Sequence, residues 1–410
     1  MTKKILKQVL SEIKPEKKKV KEAEDFLKKL NSELKKRKIK AKASAGGSYA
    51  KDTWLKGDYD VDVFVKFDMK HKDEDLSKML AKALKRFKPE KVHGSRDYFW
   101  VKNKIRFEIV PVLDIKKAEQ AQNVTDFSPW HVKWVNTKGK KYKNDIRLAK
   151  KFCKAQGVYG AESYIHGFSG HVVDILVIYH KGFIPLLKVA VKWKPKVIID
   201  PTKKVGKKAM MVLNKSKTTG PLIVIDPVQP DRNAAAAVNM KMFDKFIASA
   251  KKFLKKPSKK FFETKEIDWV KYKKKGKVVL IEISVPKGKE DPVGAKLLKA
   301  YIFIKKTLKD FELMPESSWS WDKKKKKAIF GYVLKKKKLP ETYEREGPPI
   351  EMREQVKRFK KKHKKTKTKK KRIVAILKHK KRTPEEVLKE VFKDKYLKDK
   401  VKKCRLTSLS

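Results

Sequence analysis

The chain has few acidic residues for its size, and its charge is strongly one-sided. Its 410 residues include 47 Asp and Glu against 110 Lys and Arg, which gives a formal net charge of +63. Such an excess of positive charge indicates a polyanionic partner, nucleic acid before an anionic membrane. Part of the excess is also what a lysine-biased proteome would produce as solvated surface.

Cysteines and long apolar runs are also scarce. Cys153 and Cys404 form no CxxC pair, so we expect no zinc site. Cys153 falls on the apolar stripe of a predicted helix, where a buried free thiol is expected. No segment approaches the ~20 apolar residues of a membrane span, and the first residues lack the apolar stretch of a signal peptide. We therefore expect a soluble, cytoplasmic protein without a membrane partner.

Apolar residues are nevertheless sufficient for folded cores, at 40% of the chain with 20 Phe, 12 Tyr and 8 Trp. A chain of this length exceeds the ~250–300 residues that one core supports, so several domains are expected. The patterns predict an α+β, multi-domain protein. We place an α+β domain with two N-terminal helices at 1–138, a helical domain at 139–256, and an α+β domain with a basic helical tail at 257–410.

The period of the apolar residues predicts the elements around the candidate site. These are strands at 60–67, 99–103 and 104–112 and helices at 143–156, 170–179 and 232–253. Asp231 is the candidate N-cap of the last helix. In the third domain we expect helices packed on an antiparallel sheet, and a late helix opened by a capping box at Thr383 and Glu386.

Three carboxylates, Asp58, Asp60 and Asp62, lie within five positions of this cationic chain. Side chains alternate along a strand, so Asp60 and Asp62 share one face while the valines between and after them fill the core. Two like charges ~4 Å apart repel by ~1 kcal/mol in water and ~4 kcal/mol at an effective dielectric of 20. The pair therefore needs a proton or a cation, and hard oxygen ligands at this spacing suit Mg²⁺. Asp58 follows Gly57 and is assigned to the turn.

A third carboxylate is expected on a neighbouring strand, because two metal ions need more oxygens than one pair provides. Glu108 alternates with Phe107 and Ile109, so it faces the open side of its strand; the same spacing also suits an exposed residue paired with Arg106. Upstream, the turn at 46–48 offers backbone N–H groups and the Ser48 hydroxyl to phosphate oxygens. The turn gains specificity because the DxD strand begins twelve residues after the serine.

The Gly-Ser turn, the GDxDxD strand and the later carboxylate resemble the nucleotidyltransferase fold of polymerase-beta-like enzymes. The segments "TDFSPWHVKWV", "KKFCKAQGVYGAESYIHGFSGH", "VIDPVQPDRNAAAAV" and "REGPPI" further resemble, in order, the archaeal CCA-adding enzymes, which are class I tRNA nucleotidyltransferases. The resemblance implies a nucleotidyltransferase fold at the N-terminus, a helical central domain that binds nucleotide and a C-terminal domain that binds tRNA. It implies addition of the 3′-terminal CCA to tRNA from CTP and ATP, without a nucleic-acid template, by two-metal transfer that releases pyrophosphate.

The resemblance also implies roles for individual residues. Asp60, Asp62 and Glu108 would be the catalytic ligands of the two Mg²⁺ ions, although the family usually has Asp at the last position. The nucleotide-binding residues would be Ser48, Lys51, Lys150 and Tyr159 at the triphosphate, Arg232 at the incoming base, and His131 near the site.

Each of these residues also has a structural interpretation. Lys150 fits a solvated lysine, Tyr159 fits a packing aromatic at a helix end, and Arg232 fits a partner of Asp231. His166 and His171, five residues apart, have no carboxylate or cysteine at a suitable spacing, so structural roles are expected for both.

The implied partners are CTP, ATP and the acceptor arm and elbow of tRNA, held by residues 257–410 with aromatics such as Trp269 and Trp319 divided between core and RNA contact. The sequence leaves open whether the chain forms a homodimer. Two other functions remain open: a poly(A) polymerase or other terminal RNA nucleotidyltransferase, and a non-catalytic basic RNA-binding protein with a decayed site, of which Glu108 would be the first sign.

Overall fold

The computed structural model describes residues 2–58, 60–102, 105–264 and 266–407. It divides the chain into two compact units, residues 1–265 and 266–410, each with its own hydrophobic core. The predicted α+β, multi-domain class is confirmed, whereas the three-domain boundaries stay a prediction. Within the described ranges, no helix combines the length and apolar character needed to traverse a bilayer.

The first unit contains ten α-helices and seven strands within the described residues. The helices α1–α10 are Thr2–Ile13, Lys17–Lys36, Gly47–Ala50, Leu76–Leu84, Ser128–Lys138, Lys143–Ala155, Gly170–Tyr179, Phe183–Ala190, Ala209–Val212 and Met240–Lys255. The strands β1–β7 are Ala41–Ala45, Asp60–Phe67, Glu90–Val92, Tyr98–Lys102, Arg106–Leu113, Val197–Ile199 and Leu222–Val224. Residues 103 and 104, where two predicted strands meet, lie outside the described residues.

A five-stranded sheet in the order β1-β2-β5-β4-β3 carries the predicted carboxylates. Strands β2 and β5 are parallel neighbours, and their register sets Asp62 beside Glu108. Val61, Val63 and Val65 face the opposite side, where they are fully buried in a core shared with α2 and α4. Period-two alternation therefore leaves the carboxylates on the face that this core does not cover.

A second core in the same unit joins α1 to the helices after residue 140. Phe152 of α6 is fully buried, with ring centroids 5.6 Å from Phe183 and 5.9 Å from Phe253. Cys153 is buried beside it as a free thiol, as predicted. Helix α6 ends before Gly157, whose φ of +62° is a conformation that glycine adopts at little cost.

The predicted helix start near residue 232 is wrong. Helix α10 begins at Met240, and Asn239 rather than Asp231 caps it with its side chain. The preceding residues form turns around Asn233, whose buried amide oxygen accepts two backbone N–H groups at 2.9 Å. These tertiary hydrogen bonds outweigh the helix propensity of the alanines that follow. Arg232 therefore lies in a loop.

The second unit contains four α-helices and seven strands within the described residues. The helices α11–α14 are Glu290–Thr307, Arg353–Lys362, Pro384–Val391 and Lys395–Lys398. The strands β8–β14 are Lys277–Ser284, Ser318–Asp322, Lys327–Leu334, Thr342–Pro349, Thr366–Lys369, Arg372–Lys378 and Lys403–Thr407.

Strands β14, β8, β10 and β9 form an antiparallel sheet that packs against α11 and α13, as predicted. The capping box of Thr383 and Glu386 opens α13, also as predicted. Trp269 and Trp319 are half-buried. The Trp269 ring lies across Gly331 of β10 so closely that a Cβ there would come within 2.1 Å of it. Trp269 thus has a packing role.

Candidate active site

The three predicted carboxylates project from the ends of the adjacent strands β2 and β5. Asp60 is exposed and accepts a hydrogen bond from Arg106 Nη2 at 2.5 Å. Glu108 accepts one from the Trp100 indole at 3.0 Å. Asp62 is half-buried beside Glu108. Arg106 and Trp100 thus hold two of the carboxylates, and among the described residues these three do not form one tight cluster of ligand atoms.

The surroundings of Asp62 disfavour the charged form of its carboxylate. Burial, followed by the charges of Glu108 and Asp60, raises the pKa of Asp62 to about 6, although Lys51 acts in the opposite direction. A divalent cation at this position would offset both the cost of burying the charge and its repulsion by Glu108 and Asp60. Carboxylate oxygens on neighbouring strands are also the ligands that Mg²⁺ prefers, so the residues present fit the ion.

The Gly-Gly-Ser turn lies directly against Asp62. Gly47 has a φ of +51°, and a Cβ at this position would lie 1.5 Å from the Asp62 carboxylate. The Gly46 N–H donates to the Asp62 carbonyl at 2.7 Å, and Ser48 follows in the short helix α3. The close approach requires glycine at position 47, because any side chain would displace the carboxylate. The predicted phosphate-binding turn and the predicted metal ligand are therefore in contact.

Two of the predicted triphosphate ligands share a buried counter-ion. Asp174 of α7 lies 2.9 Å from both Lys51 Nζ and Lys150 Nζ, and Lys150 also donates to the Thr53 hydroxyl at 2.9 Å. All four residues are buried. Burial alone would raise the pKa of Asp174, but the two nearby lysines outweigh burial and lower that pKa. For Lys150 burial is the larger effect, so its pKa is lowered although Asp174 acts in the opposite direction. Neither lysine is a solvated surface residue.

Tyr159 lies beside this cluster. Its hydroxyl is 2.7 Å from the position that a Cβ of Gly170 would take, and Lys154 Nζ lies 5.1 Å from its ring centroid. Burial raises the pKa of the Tyr159 phenol, so it is protonated and able to donate a hydrogen bond at neutral pH. Asp58 forms an ion pair with Lys154, which fits its predicted assignment to the turn.

A second cluster is centred on Asp226, which sequence reasoning did not single out. Its fully buried carboxylate accepts from His131 Nε2 at 3.0 and 3.1 Å, His171 Nε2 at 3.2 Å and Arg232 Nη1 at 3.1 Å. The hydrogen bonds and charges of the imidazoles outweigh burial and lower the pKa of Asp226 strongly, whereas burial lowers the pKa of His171. Arg232 thus pairs with Asp226, not with Asp231.

Ligand atoms of His131, His171 and Asp226 lie close enough together for a metal site. The carboxylate is already saturated, however, because the backbone N–H groups of Val228 and Gln229 also donate to it, at 2.9 and 3.2 Å. A carboxylate has about four lone-pair sites, and here all of them meet protein donors. The cluster is a hydrogen-bonded ion cluster, and the structural role predicted for His171 fits it.

Helix α7 connects the two clusters, since His171 and Asp174 are three residues apart on it and lie on neighbouring positions of one face. His166 does not take part; its backbone carbonyl accepts the Asn239 N–H at 3.1 Å. The lone aspartate in the apolar stretch "GHVVDILVIY" was the one sequence signal for the missed Asp174, since unpaired Asp is rarely buried. Asp226 carried no such signal.

The fold and the carboxylate face define the class of the protein. The structure is similar to that of a cytoplasmic RNA terminal U-transferase, with a TM-score of 0.51 and 15% identity over 64% of this chain and 98% of that one. The Cid1 poly(U) polymerase gives the same values. Residues 1–149 match the family model of the Second Messenger Oligonucleotide or Dinucleotide Synthetase domain. These similarities show that the chain shares the fold of nucleotidyltransferases.

Relatives with higher sequence identity show which family of nucleotidyltransferases the chain belongs to. Residues 144–263 match the second domain of tRNA nucleotidyltransferase, and residues 274–404 match the C-terminal domain of CCA-adding enzyme. The CCA-adding enzyme of Sulfurisphaera tokodaii is 31% identical over 84% of this chain and 81% of its own length. That of Nanoarchaeum equitans is 44% identical over 53% of this chain and 58% of its own length. The chain belongs to the family of CCA-adding enzymes, the tRNA nucleotidyltransferases of archaea.

Proposed function

We propose that the first unit, residues 1–265, catalyses nucleotidyl transfer with Asp60, Asp62 and Glu108 as the ligands of two Mg²⁺ ions. As a CCA-adding enzyme, the chain completes the 3′ end of tRNA from CTP and ATP without a nucleic-acid template and releases pyrophosphate. The observation that carries the residue assignment is the register of β2 and β5, which sets Asp62 beside Glu108 and against the Gly47 backbone.

When bound, the Mg²⁺ ions would lower the pKa of the RNA 3′-hydroxyl and neutralise charge on the departing pyrophosphate. Asp60 and Glu108 would exchange their contacts with Arg106 and Trp100 for this role. Asp62 is held in position by the Gly46 N–H, which fixes the backbone of its strand.

The triphosphate would lie along the Gly-Ser turn. Ser48 and Tyr159 would donate hydroxyl hydrogen bonds to phosphate oxygens, while Lys51 and Lys150 would provide positive charge. Asp174 holds both ammonium groups 2.9 Å from its oxygens, so the three side chains together carry one net positive charge in a buried position. A buried charge acts on the triphosphate with less solvent screening than a surface lysine would.

Selection of C and A would depend on Arg232, with His131 beside it. The Arg232 side chain is 47% exposed and keeps most of its donors available beyond the contact with Asp226. Guanidinium N–H groups suit the ring nitrogen and carbonyl acceptors of a base.

For the RNA we propose the predicted three-part organisation, with residues 257–410 holding the acceptor arm and elbow of the tRNA through its backbone and shape. The all-lysine turn between β12 and β13, where Lys370 and Lys371 both have positive φ, presents charge at a hairpin tip.

The direct test is incubation with a tRNA that lacks its 3′ end, Mg²⁺ and all four nucleoside triphosphates, followed by sequencing of the product. We expect C, C and A to be added and extension to stop there. A run of A would indicate a poly(A) polymerase. Incorporation at the background level, with tRNA binding intact, would instead support the non-catalytic RNA-binding function.

Glu108 can be tested by shortening or neutralising it. We expect Glu108→Asp to keep or raise kcat, because the family usually has Asp here, and Glu108→Gln to lower it about 10²-fold, since about 3 kcal/mol of charge stabilisation is lost. Gln keeps the size of Glu and an acceptor for the Trp100 indole, so it controls for packing. Equal rates for Glu and Gln would remove residue 108 from the metal ligands.

Arg232→Ala is expected to reduce discrimination between CTP and ATP about tenfold, which corresponds to about 1.4 kcal/mol. The measurement is the ratio of kcat/KM for the two nucleotides on tRNA ending before the first C. Lys217→Ala is the matched control, because Lys217 is also basic and bonds to the same loop at the Asp231 carbonyl, 3.2 Å away. Unchanged discrimination in Arg232→Ala would assign base selection to another residue.

A further inference from the structure

Asp226 is a fully buried carboxylate for which neither catalysis nor metal binding accounts. It lies at the start of a loop that returns to it, because its own N–H donates to the Arg232 carbonyl at 3.0 Å. Burying a carboxylate costs several kcal/mol unless it is well paired. Here that cost is met by His131, His171, Arg232 and two backbone N–H groups. Such an arrangement fixes the side chains around it.

We propose that Asp226 is a positioning residue for nucleobase selection, which holds the Arg232 guanidinium in the orientation that reads the incoming base. The inference rests on the proposed role of Arg232. It adds that the selectivity of this arginine depends on a buried carboxylate that does not touch the nucleotide.

The geometry of the carboxylate supports a positioning role. The backbone N–H groups of Val228 and Gln229 donate to Oδ1 and fix the plane of the carboxylate. Its other oxygen, Oδ2, then accepts from both His171 and Arg232. Because the backbone determines where Oδ2 lies, it also determines where Nη1 of the arginine lies.

The position of Arg232 in the fold explains why it needs such a partner. It lies in a loop rather than at the start of a helix, and about half of its side chain is exposed. A free arginine in that setting has up to ~2 kcal/mol of rotamer entropy to lose when it orders. Among the described residues, its guanidinium makes one hydrogen bond, to Asp226, so four of its five N–H donors stay available to a base.

The sharpest test is a double-mutant cycle between Asp226 and Arg232. We expect Asp226→Asn to lower CTP/ATP discrimination by about the same factor as Arg232→Ala, roughly tenfold, with a smaller change in kcat for the correct nucleotide. In the double variant we expect no further loss, because the two residues act as one unit. A merely structural role would lower both nucleotides' kcat/KM equally and leave their ratio unchanged.

The outcomes are distinct. An undiminished ratio in folded Asp226→Asn, or an effect that persists fully in the Arg232→Ala background, overturns the positioning role and leaves base reading by Arg232 intact. Unchanged discrimination in Arg232→Ala alone instead contradicts the proposed function of the arginine, and with it the inference.

Folding is monitored by thermal unfolding and tRNA binding. If Asp226→Asn does not fold, Asp226→Glu provides the second variant, since it keeps the charge and all acceptor sites but shifts them by one methylene. We expect it to lower discrimination as well, and a folded Asp226→Glu with full discrimination would equally overturn the inference.

Discussion

Replacing Asp62 with asparagine is expected to reduce nucleotide incorporation about 10³-fold while it stabilises the metal-free protein at pH 7. The first effect follows from the loss of a metal ligand worth several kcal/mol in the transition state. The second follows from the raised pKa of Asp62, about 6, because at pH 7 the folded protein carries a carboxylate that burial and Glu108 disfavour. A shift of this size corresponds to about 1–3 kcal/mol.

The pH dependence has a defined sign. The folded protein holds the Asp62 proton more tightly than the unfolded chain does, so this contribution to stability is present below about pH 4 and is lost as the pH rises through about 6. Denaturant unfolding with a chelator at pH 4.5 and pH 7 should therefore show wild type losing more stability than Asp62→Asn over this interval.

Asp60→Asn is the matched control for this prediction. Asp60 is exposed and paired with Arg106, so its neutralisation should lower incorporation to a similar extent without a gain in stability. Both variants should still bind tRNA. Retained activity in either variant would remove that residue from the metal ligands, and an unstabilised Asp62→Asn would mean that the carboxylate is better paired than its surroundings indicate.

Replacing Asp174 with asparagine is expected to lower the free energy of unfolding by about 3–5 kcal/mol, because two buried lysines lose their counter-charge. Lys51 and Lys150 both lie 2.9 Å from this carboxylate, and all three are almost fully buried. The change is measured by urea denaturation at neutral pH. A loss below 1 kcal/mol would mean that the two ammonium groups reach water or shed a proton.

Asp114→Asn is the control for Asp174. Asp114 also pairs with a lysine, Lys66, at 3.2 Å, but 57% of its side chain is exposed. Surface ion pairs contribute about 0–1 kcal/mol, so this variant should unfold nearly as wild type does. The pairing can be checked further by adding Lys150→Met to Asp174→Asn, which should recover part of the lost stability.

The contrast between these carboxylates indicates what the sequence could and could not predict. Asp60, Asp62 and Glu108 were predictable because strand alternation is local, and three residues on two short strands suffice to define a face. The partners of Asp174 and Asp226 were not predictable, because they lie far along the chain. Lys51 lies 123 residues from Asp174, and His131 lies 95 residues from Asp226.

The same distinction explains the error at Arg232. Four alanines in succession predict a helix from local propensity alone, and a buried asparagine amide that bonds to β7 prevents it. Asp231 was the natural cap for the predicted helix, whereas the real cap lies eight residues later at Asn239. The hydrogen bonds of Asn233 to β7 determine where the loop runs, and the side chain of Asn239 then caps the helix locally.

Under the proposed assignments, helix α7 would support both ends of a bound nucleotide. Asp174 and His171, one turn apart on this helix, anchor the lysines assigned to the phosphates and the cluster assigned to the base. A translation or rotation of this one helix would move both sets of contacts together. A base bound in the wrong position would then also displace the triphosphate. Base discrimination and the rate of nucleotidyl transfer would therefore change together.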